Sequence, residues 1–154
     1  MISRVRSEGH KTRQPLVTRS PEESFQMGVQ LGREMQTPRN VLLYGDLGMG
    51  KTILAKGIIC GLGVKDPDDV VSPTFTLIQE YRVGERVIEH IDLYRVDRPA
   101  DIEALGIEEM MNDGGMYVIV EWAEKLPDQN VPRSLSIHIE DLGDNQRALQ
   151  VETS

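Results

Sequence analysis

The sequence predicts an α/β fold of three layers, with a sheet that is parallel at its centre, antiparallel towards its edges and flanked by helices. Three observations predict it. Val41-Leu42-Leu43-Tyr44 and Tyr117-Val118-Ile119-Val120 are short continuous apolar runs, the pattern of strands buried on both faces. Helical spacing of apolar residues precedes and follows the first run. From Pro73, and again from Ser134, apolar and polar residues alternate with period two, as in half-buried strands.

The elements follow in order. Ser20-Pro21-Glu22-Glu23 reads as a helix start, with Ser20 as N-cap, Pro21 at the first helical position and Glu23 three residues after the cap. Phe25, Met27 or Gly28, Leu31 and Met35 continue at helical spacing, and Pro38 marks the end, because proline disfavours helical geometry in the residue before it. The first apolar run then gives a strand. A second helix is predicted from about Lys51 to Leu62, with Ile53, Leu54, Ile58 and Ile59 on its packed side and Gly61 or Gly63 near its end. Thr74 to Arg82 and Arg86 to Asp92 read as two strands turning at Gly84. Residues 100–112 read as one or two short helices interrupted near Gly106, and Tyr117 opens the second buried strand. Ser134 to Glu140 alternates, with Leu135, Ile137 and Ile139 on one side, and Arg147 to Val151 pairs with it as a hairpin.

Composition bounds the function. A chain of 154 residues suits one domain, read here as residues 15–154. Aromatic residues are only 5%, so aliphatic side chains must build the core. A net charge of −8 opposes unaided binding of nucleic acid, which needs a broad cationic face. The single cysteine, Cys60, excludes an internal disulfide and a cysteine-built zinc cage. No apolar run approaches the ~20 residues of a membrane span, and no signal-type apolar stretch follows the start, so a cytoplasmic protein without a membrane partner is expected. Residues 1–14 carry Arg4, Arg6, Lys11 and Arg13 against Glu8 and show no period. They are expected to form a disordered basic tail, either a solvated extension or an arm for RNA or an acidic partner.

Gly45-Asp46-Leu47-Gly48-Met49-Gly50-Lys51-Thr52 matches G-x-x-x-x-G-K-[ST] in full, between a buried strand and a helix. The glycines let backbone N–H groups turn inward as an anion cradle, and the new helix adds the positive end of its dipole. In such a loop Lys51 reaches the β- and γ-phosphates and the Thr52 hydroxyl ligates Mg²⁺, with Ile53 continuing the helix. Such a site also needs an acid at the end of a neighbouring strand. Glu121 and Asp92 both qualify. Glu121 follows the cleaner buried run and is assigned the metal, while Asp92 either orders the attacking water or completes the magnesium shell.

Other polar residues carry two readings each. Ser72-Pro73-Thr74 is either a rigid strand start or a segment in which a serine or threonine senses the γ-phosphate and the metal. His90 reads as a packing residue of its strand. Trp122 either caps the core or lies near the site beside Glu121, and Arg147 is either a surface arginine or a phosphate or base contact. No lysine is followed two residues later by aspartate, so the guanine-reading N/T-K-x-D element is absent and adenine is preferred. A small-molecule kinase would need an arginine-rich lid, and no such cluster stands out.

The motifs GDLGMGKT, Ser72-Pro73-Thr74-Phe75-Thr76-Leu77, His90-Ile91-Asp92-Leu93-Tyr94-Arg95, Glu103-Ala104-Leu105-Gly106 and Val120-Glu121-Trp122-Ala123-Glu124 stand in this order. From about Leu16 to Glu152 the chain resembles the TsaE (YjeE) family of bacterial P-loop ATPases. That resemblance implies a P-loop NTPase-like fold and a role in making threonylcarbamoyladenosine beside the anticodon of tRNAs. It implies binding and hydrolysis of ATP to ADP with Mg²⁺, in company with TsaD-like and TsaB-like proteins that handle the tRNA. It also implies that Thr52 and Glu121 hold Mg²⁺, that Asp92 serves hydrolysis, and that Thr74 lies in a switch-like segment. Arg147 and the helix start at Pro21 and Glu22 resemble nucleotide contacts. Met49 stands where many members have alanine, a position at which only the backbone N–H is needed. A small-molecule kinase and a non-catalytic nucleotide-gated adaptor are the alternatives.

Overall fold

The computed structural model describes residues 15–46 and 50–154. The expected basic tail, residues 1–14, lies outside them. Strand β1 spans Leu16–Thr18, helix α1 Pro21–Glu34, β2 Asn40–Tyr44 and α2 Lys51–Gly61. Strands β3 (Ile78–Val83) and β4 (Arg86–Asp92) follow, then helices α3 (Pro99–Ala104) and α4 (Ile107–Asp113). β5 (Tyr117–Glu121), β6 (Ser134–Gly143) and β7 (Gln146–Thr153) complete the fold. Among the described residues these strands form one sheet in the order β1-β7-β6-β2-β5-β4-β3. β6, β2, β5 and β4 run parallel at the centre, while β3, β7 and β1 pair antiparallel towards the two edges. The predicted three-layer arrangement is what folds.

Alternation along the central strands sorts side chains to two cores. Val41, Leu43, Tyr117 and Ile119 face α1 and α2, packing with Leu54 and Ile58. Leu42, Val118, Val120 and Ile91 face the opposite side, against Ile102, Ile107 and Met111 of α3 and α4. Helix α1 starts as its sequence dictates: Ser20 Oγ accepts from Glu23 N at 3.1 Å, and Glu23 Oε1 accepts in return from Arg19 N at 2.9 Å.

Several local expectations are corrected. The strand expected from Thr74 begins at Ile78. Leu77 N donates to Pro73 O at 2.6 Å and Leu77 takes φ 70°, so residues 73–77 close into a turn before pairing starts. Ile53 is 36% exposed rather than packed, because the buried stripe of α2 runs through Leu54, Ala55, Ile58 and Ile59. The hairpin strands β6 and β7 extend beyond the predicted limits, and β1 was not predicted at all; it pairs along β7, with Thr18 opposite Arg147.

Helices α1 and α2 cross almost backbone to backbone. A Cβ on Gly57 would stand 2.2 Å from Phe25 O, and one on Gly28 2.5 Å from Leu54 O. Gly57→Ala is expected to destabilise the fold by about 1–3 kcal/mol, even against the ~1 kcal/mol that alanine gains in helix propensity. A lower urea midpoint at unchanged m-value checks this.

At the β3–β4 pair, Glu89 stands directly opposite Glu80. Burial, then the hydrogen bond to Glu80, raises the Glu89 carboxyl from 4.5 to about 7. Between those values the folded chain holds a proton that the unfolded chain has released. The contribution of Glu89 to stability therefore declines as pH rises from about 4.5 to about 7. Glu89→Gln is expected to flatten this slope in urea unfolding measured across that range.

Candidate functional site

The carboxyl ends of β2, β5 and β4 share one edge of the sheet, where α/β ligand sites form. The glycine-rich loop leaves β2 here. Gly45 and Gly50 take φ values of 153° and 84°, and Gly50 in the left-handed conformation opens α2. Leu47, Gly48 and Met49 lie outside the described residues. Lys51 is buried and donates from Nζ to the carbonyls of Gly45 and Asp46, the latter at 2.8 Å. The same ammonium stands 4.1 Å from the centroid of the Trp122 ring. Burial pushes the Lys51 ammonium below its ordinary pKa, while Glu124, Glu121, Asp92 and Asp46 act to raise it.

The next residue faces the sheet. Thr52 Oγ1 donates to Glu121 Oε1 at 2.7 Å. Asp92 on β4 is the register partner of Glu121 on β5, so two carboxylates lie on neighbouring strands, whose backbones are ~4.8 Å apart. Both are buried. Asp92 Oδ2 accepts from Thr74 Oγ1 at 3.0 Å, and Oδ1 accepts from Tyr94 N at 2.9 Å. Ser72 Oγ is 2.8 Å from Thr74 Oγ1. The geometry thus brings Lys51, Thr52, Thr74, Asp92, Glu121 and Trp122 together. Ile53 is 36% exposed and makes none of the contacts described for this cluster.

Arg147 lies further along the same edge. It pairs with Asp141 at 3.0 Å, and through β1 it neighbours the turn that starts α1 at Pro21 and Glu22. β6 links this corner to the loop: Ile139 O lies 2.9 Å from where a Gly45 Cβ would sit. One residue read chiefly as a satisfied packing histidine has an acidic partner. His90 is fully buried, and its Nε2 lies 2.6 Å from Glu121 Oε2. Its spacing two residues before Asp92 put both on one face of β4, and that period-two relation was the available signal.

Among the described residues, no group of three or more His, Cys, Asp or Glu side chains could hold a metal ion by itself. The set present is one hydroxyl and two carboxylates, all hard oxygen donors. That set fits Mg²⁺, which proteins hold through one or two carboxylates, with phosphates and water completing the shell.

A buried parallel strand, a glycine loop, a helix opening on Lys-Thr and an acid on the adjacent strand define a P-loop NTPase-like α/β protein. The comparisons with known proteins take this further. Residues 18–149 match the family model "Threonylcarbamoyl adenosine biosynthesis protein TsaE". The TsaE protein of Rickettsia felis is 34% identical over 142 residues, covering 90% of this chain and 80% of its own. That of Treponema pallidum is 33% identical, covering 88% of this chain and 97% of its own. The crystal structure of Bacillus subtilis YdiB superposes with a TM-score of 0.68 at 30% identity, covering 96% of this chain and 88% of that one. The chain belongs to the TsaE family of tRNA threonylcarbamoyladenosine biosynthesis proteins.

Without nucleotide, the Thr52–Glu121 bond is a structural element in its own right. Thr52→Val keeps the shape and removes the donor, leaving a buried carboxylate oxygen without its partner. A loss of about 1–3 kcal/mol is expected in urea unfolding, and Thr52→Ser is expected to lose less.

Proposed function

We propose that this protein binds ATP and hydrolyses it with Mg²⁺, in support of tRNA threonylcarbamoyladenosine formation in the cytoplasm with TsaD-like and TsaB-like partners. One observation carries the reading. At the last position of the G-x-x-x-x-G-K-T motif, Thr52 Oγ1 is bonded to a buried acid at the end of the adjacent strand. This is the paired hydroxyl and carboxylate that nucleotide hydrolysis uses beside the phosphates.

In this reading the loop amides from Gly45 to Gly50 and the start of α2 receive the phosphates. Lys51 exchanges its bonds to the Gly45 and Asp46 carbonyls for the β- and γ-phosphate oxygens. Lysine suits that exchange because its ammonium is a point charge on a flexible stem. Thr52 and Glu121 would hold Mg²⁺, with Asp92 alongside. When bound there, the ion would supply charge neutralisation for the phosphates. Asp92 and Thr74 order the attacking water. Arg147 and the residues at Pro21 and Glu22 border the nucleoside end. Catalysis here is chiefly electrostatic, since positioned positive groups favour charge developing in the transition state. The side chains gathered here include no arginine finger, so turnover by the chain alone is slow and its partners stimulate it. The net charge of −8 accords with partners, rather than this chain, gripping tRNA.

Lys51→Ala is expected to abolish ATP binding in calorimetry while circular dichroism stays unchanged; retained affinity would remove the phosphate-loop reading. Phosphate release is expected to be slow with the purified chain and to rise when TsaD-like and TsaB-like proteins and tRNA are added. ATP-dependent association without phosphate release would favour the nucleotide-gated adaptor, and release that requires a small-molecule acceptor would favour the kinase.

A further inference from the structure

Glu121 has two carboxylate oxygens, and the structure gives each a separate partner. Oε1 accepts from Thr52 Oγ1 at 2.7 Å, and Oε2 lies 2.6 Å from His90 Nε2. His90 is 0% exposed and sits on β4 beside Ile119 of β5. The same face of the sheet carries Ile88, Ile119 and Leu43 around it, with Gln79 of β3 as its register partner and Asp92 and Glu121 at the strand ends. Its Nδ1 is buried and has no hydrogen-bond partner. An aliphatic side chain would fill this buried volume and leave no polar atom stranded. The ring is therefore kept for what Nε2 does. With no acceptor at Nδ1 for a second N–H, the ring donates once, to Glu121.

We propose that His90 is a positioning residue, whose Nε2–H holds the Glu121 carboxylate with its other oxygen turned to Thr52 and the phosphate end of the nucleotide site. The proposal rests on the functional reading above and adds to it the group that aims the metal-side acid. The need for such a group is electrostatic. Glu121 lies beside Asp92 and near the Lys51 ammonium, which stands over Trp122. A carboxylate without a fixed second bond can turn away from the first carboxylate and towards the ammonium. A single N–H donor fixes the rotation. Carboxylates that ligate metals are commonly held by such a donor, and its loss typically lowers metal affinity about 10–100-fold.

The test is the response of nucleotide affinity to Mg²⁺. Nucleotide is titrated against Trp122 fluorescence or followed by calorimetry, once in EDTA and once in Mg²⁺. For His90→Leu, which fills the space without a donor, affinity in EDTA is expected to stay within about twofold of wild type. The gain on adding Mg²⁺ is expected to shrink about 10–100-fold. His90→Gln places an N–H at the same remove from Cβ and is expected to restore most of that gain. Should the leucine variant not fold, His90→Asn serves in its place, because its amide stops short of Glu121. An undiminished Mg²⁺ gain in the variant without the donor would overturn the role of His90 alone. An equal loss in EDTA and Mg²⁺, not rescued by glutamine, would overturn it too, by marking the ring as structural. A wild-type chain whose nucleotide affinity ignores Mg²⁺ would overturn the functional reading and this proposal together.

Discussion

The hydrogen bond between Thr52 and Glu121 ties the first turn of α2 to the end of β5, and the rest of the site depends on that tie. Consecutive residues on a helix diverge by about 100°. Once Thr52 is turned to the sheet, Lys51 must point elsewhere, and its ammonium reaches the loop carbonyls and the Trp122 face. The far end of the same helix is fixed differently. Gly57 and Gly61 meet Gly28 and Gly32 of α1 at a separation that admits no side chain. Helix α2 is thus held by a polar bond at its start and by backbone contact along its length, and the loop between β2 and α2 spans two fixed points.

Burying Asp92 and Glu121 side by side is costly unless each oxygen finds a partner. All four find one: the Thr74 hydroxyl, the Tyr94 N–H, the Thr52 hydroxyl and His90 Nε2. Two of these partners are hydroxyls and one is a backbone amide, and these three satisfy carboxylate oxygens without adding a cation. Lys51 is the nearby cation, and its Nζ donates to carbonyls rather than to either acid. The edge is left with a surplus of negative charge and a set of oxygen donors, the electrostatic setting that a divalent cation suits.

The central strands and helices were legible in the sequence because each carries a strong periodic signal. Val41–Tyr44 and Tyr117–Val120 are apolar throughout, since both of their faces are covered, and Ser20-Pro21 opens α1 through its own cap chemistry. β1 was not legible. It has three residues, and its place comes from pairing with β7, some 130 residues away in the chain. The early start assigned to β3 has a similar cause: Thr74-Phe75-Thr76-Leu77 has strand-like composition, but the turn anchored by Pro73 O overrides it. In the site, the sequence named Thr52, Glu121 and Asp92 but could not state their register. That Asp92 lies opposite Glu121, and that His90 reaches Glu121 from the next strand, are facts of pairing rather than composition.

Thr74 shows how a single proton limits this site. A threonine hydroxyl donates one hydrogen and accepts through its lone pairs. Its donation to Asp92 Oδ2 uses that hydrogen, so the contact with Ser72 Oγ must run the other way, with Ser72 donating. The turn from Pro73 to Leu77 is otherwise held by Leu77 N to Pro73 O and by Asp92 N to Leu77 O. Two of its three ties therefore end on Asp92. Phe75, carried on this turn, is 80% exposed, with the Arg95 guanidinium 4.4 Å from its ring centroid. A phosphate that accepts the Thr74 proton removes one of the two hydrogen bonds at the Asp92 carboxylate and leaves it the Tyr94 N–H. The serine–threonine–aspartate relay can satisfy the buried acid or an incoming phosphate through Thr74, but not both at once.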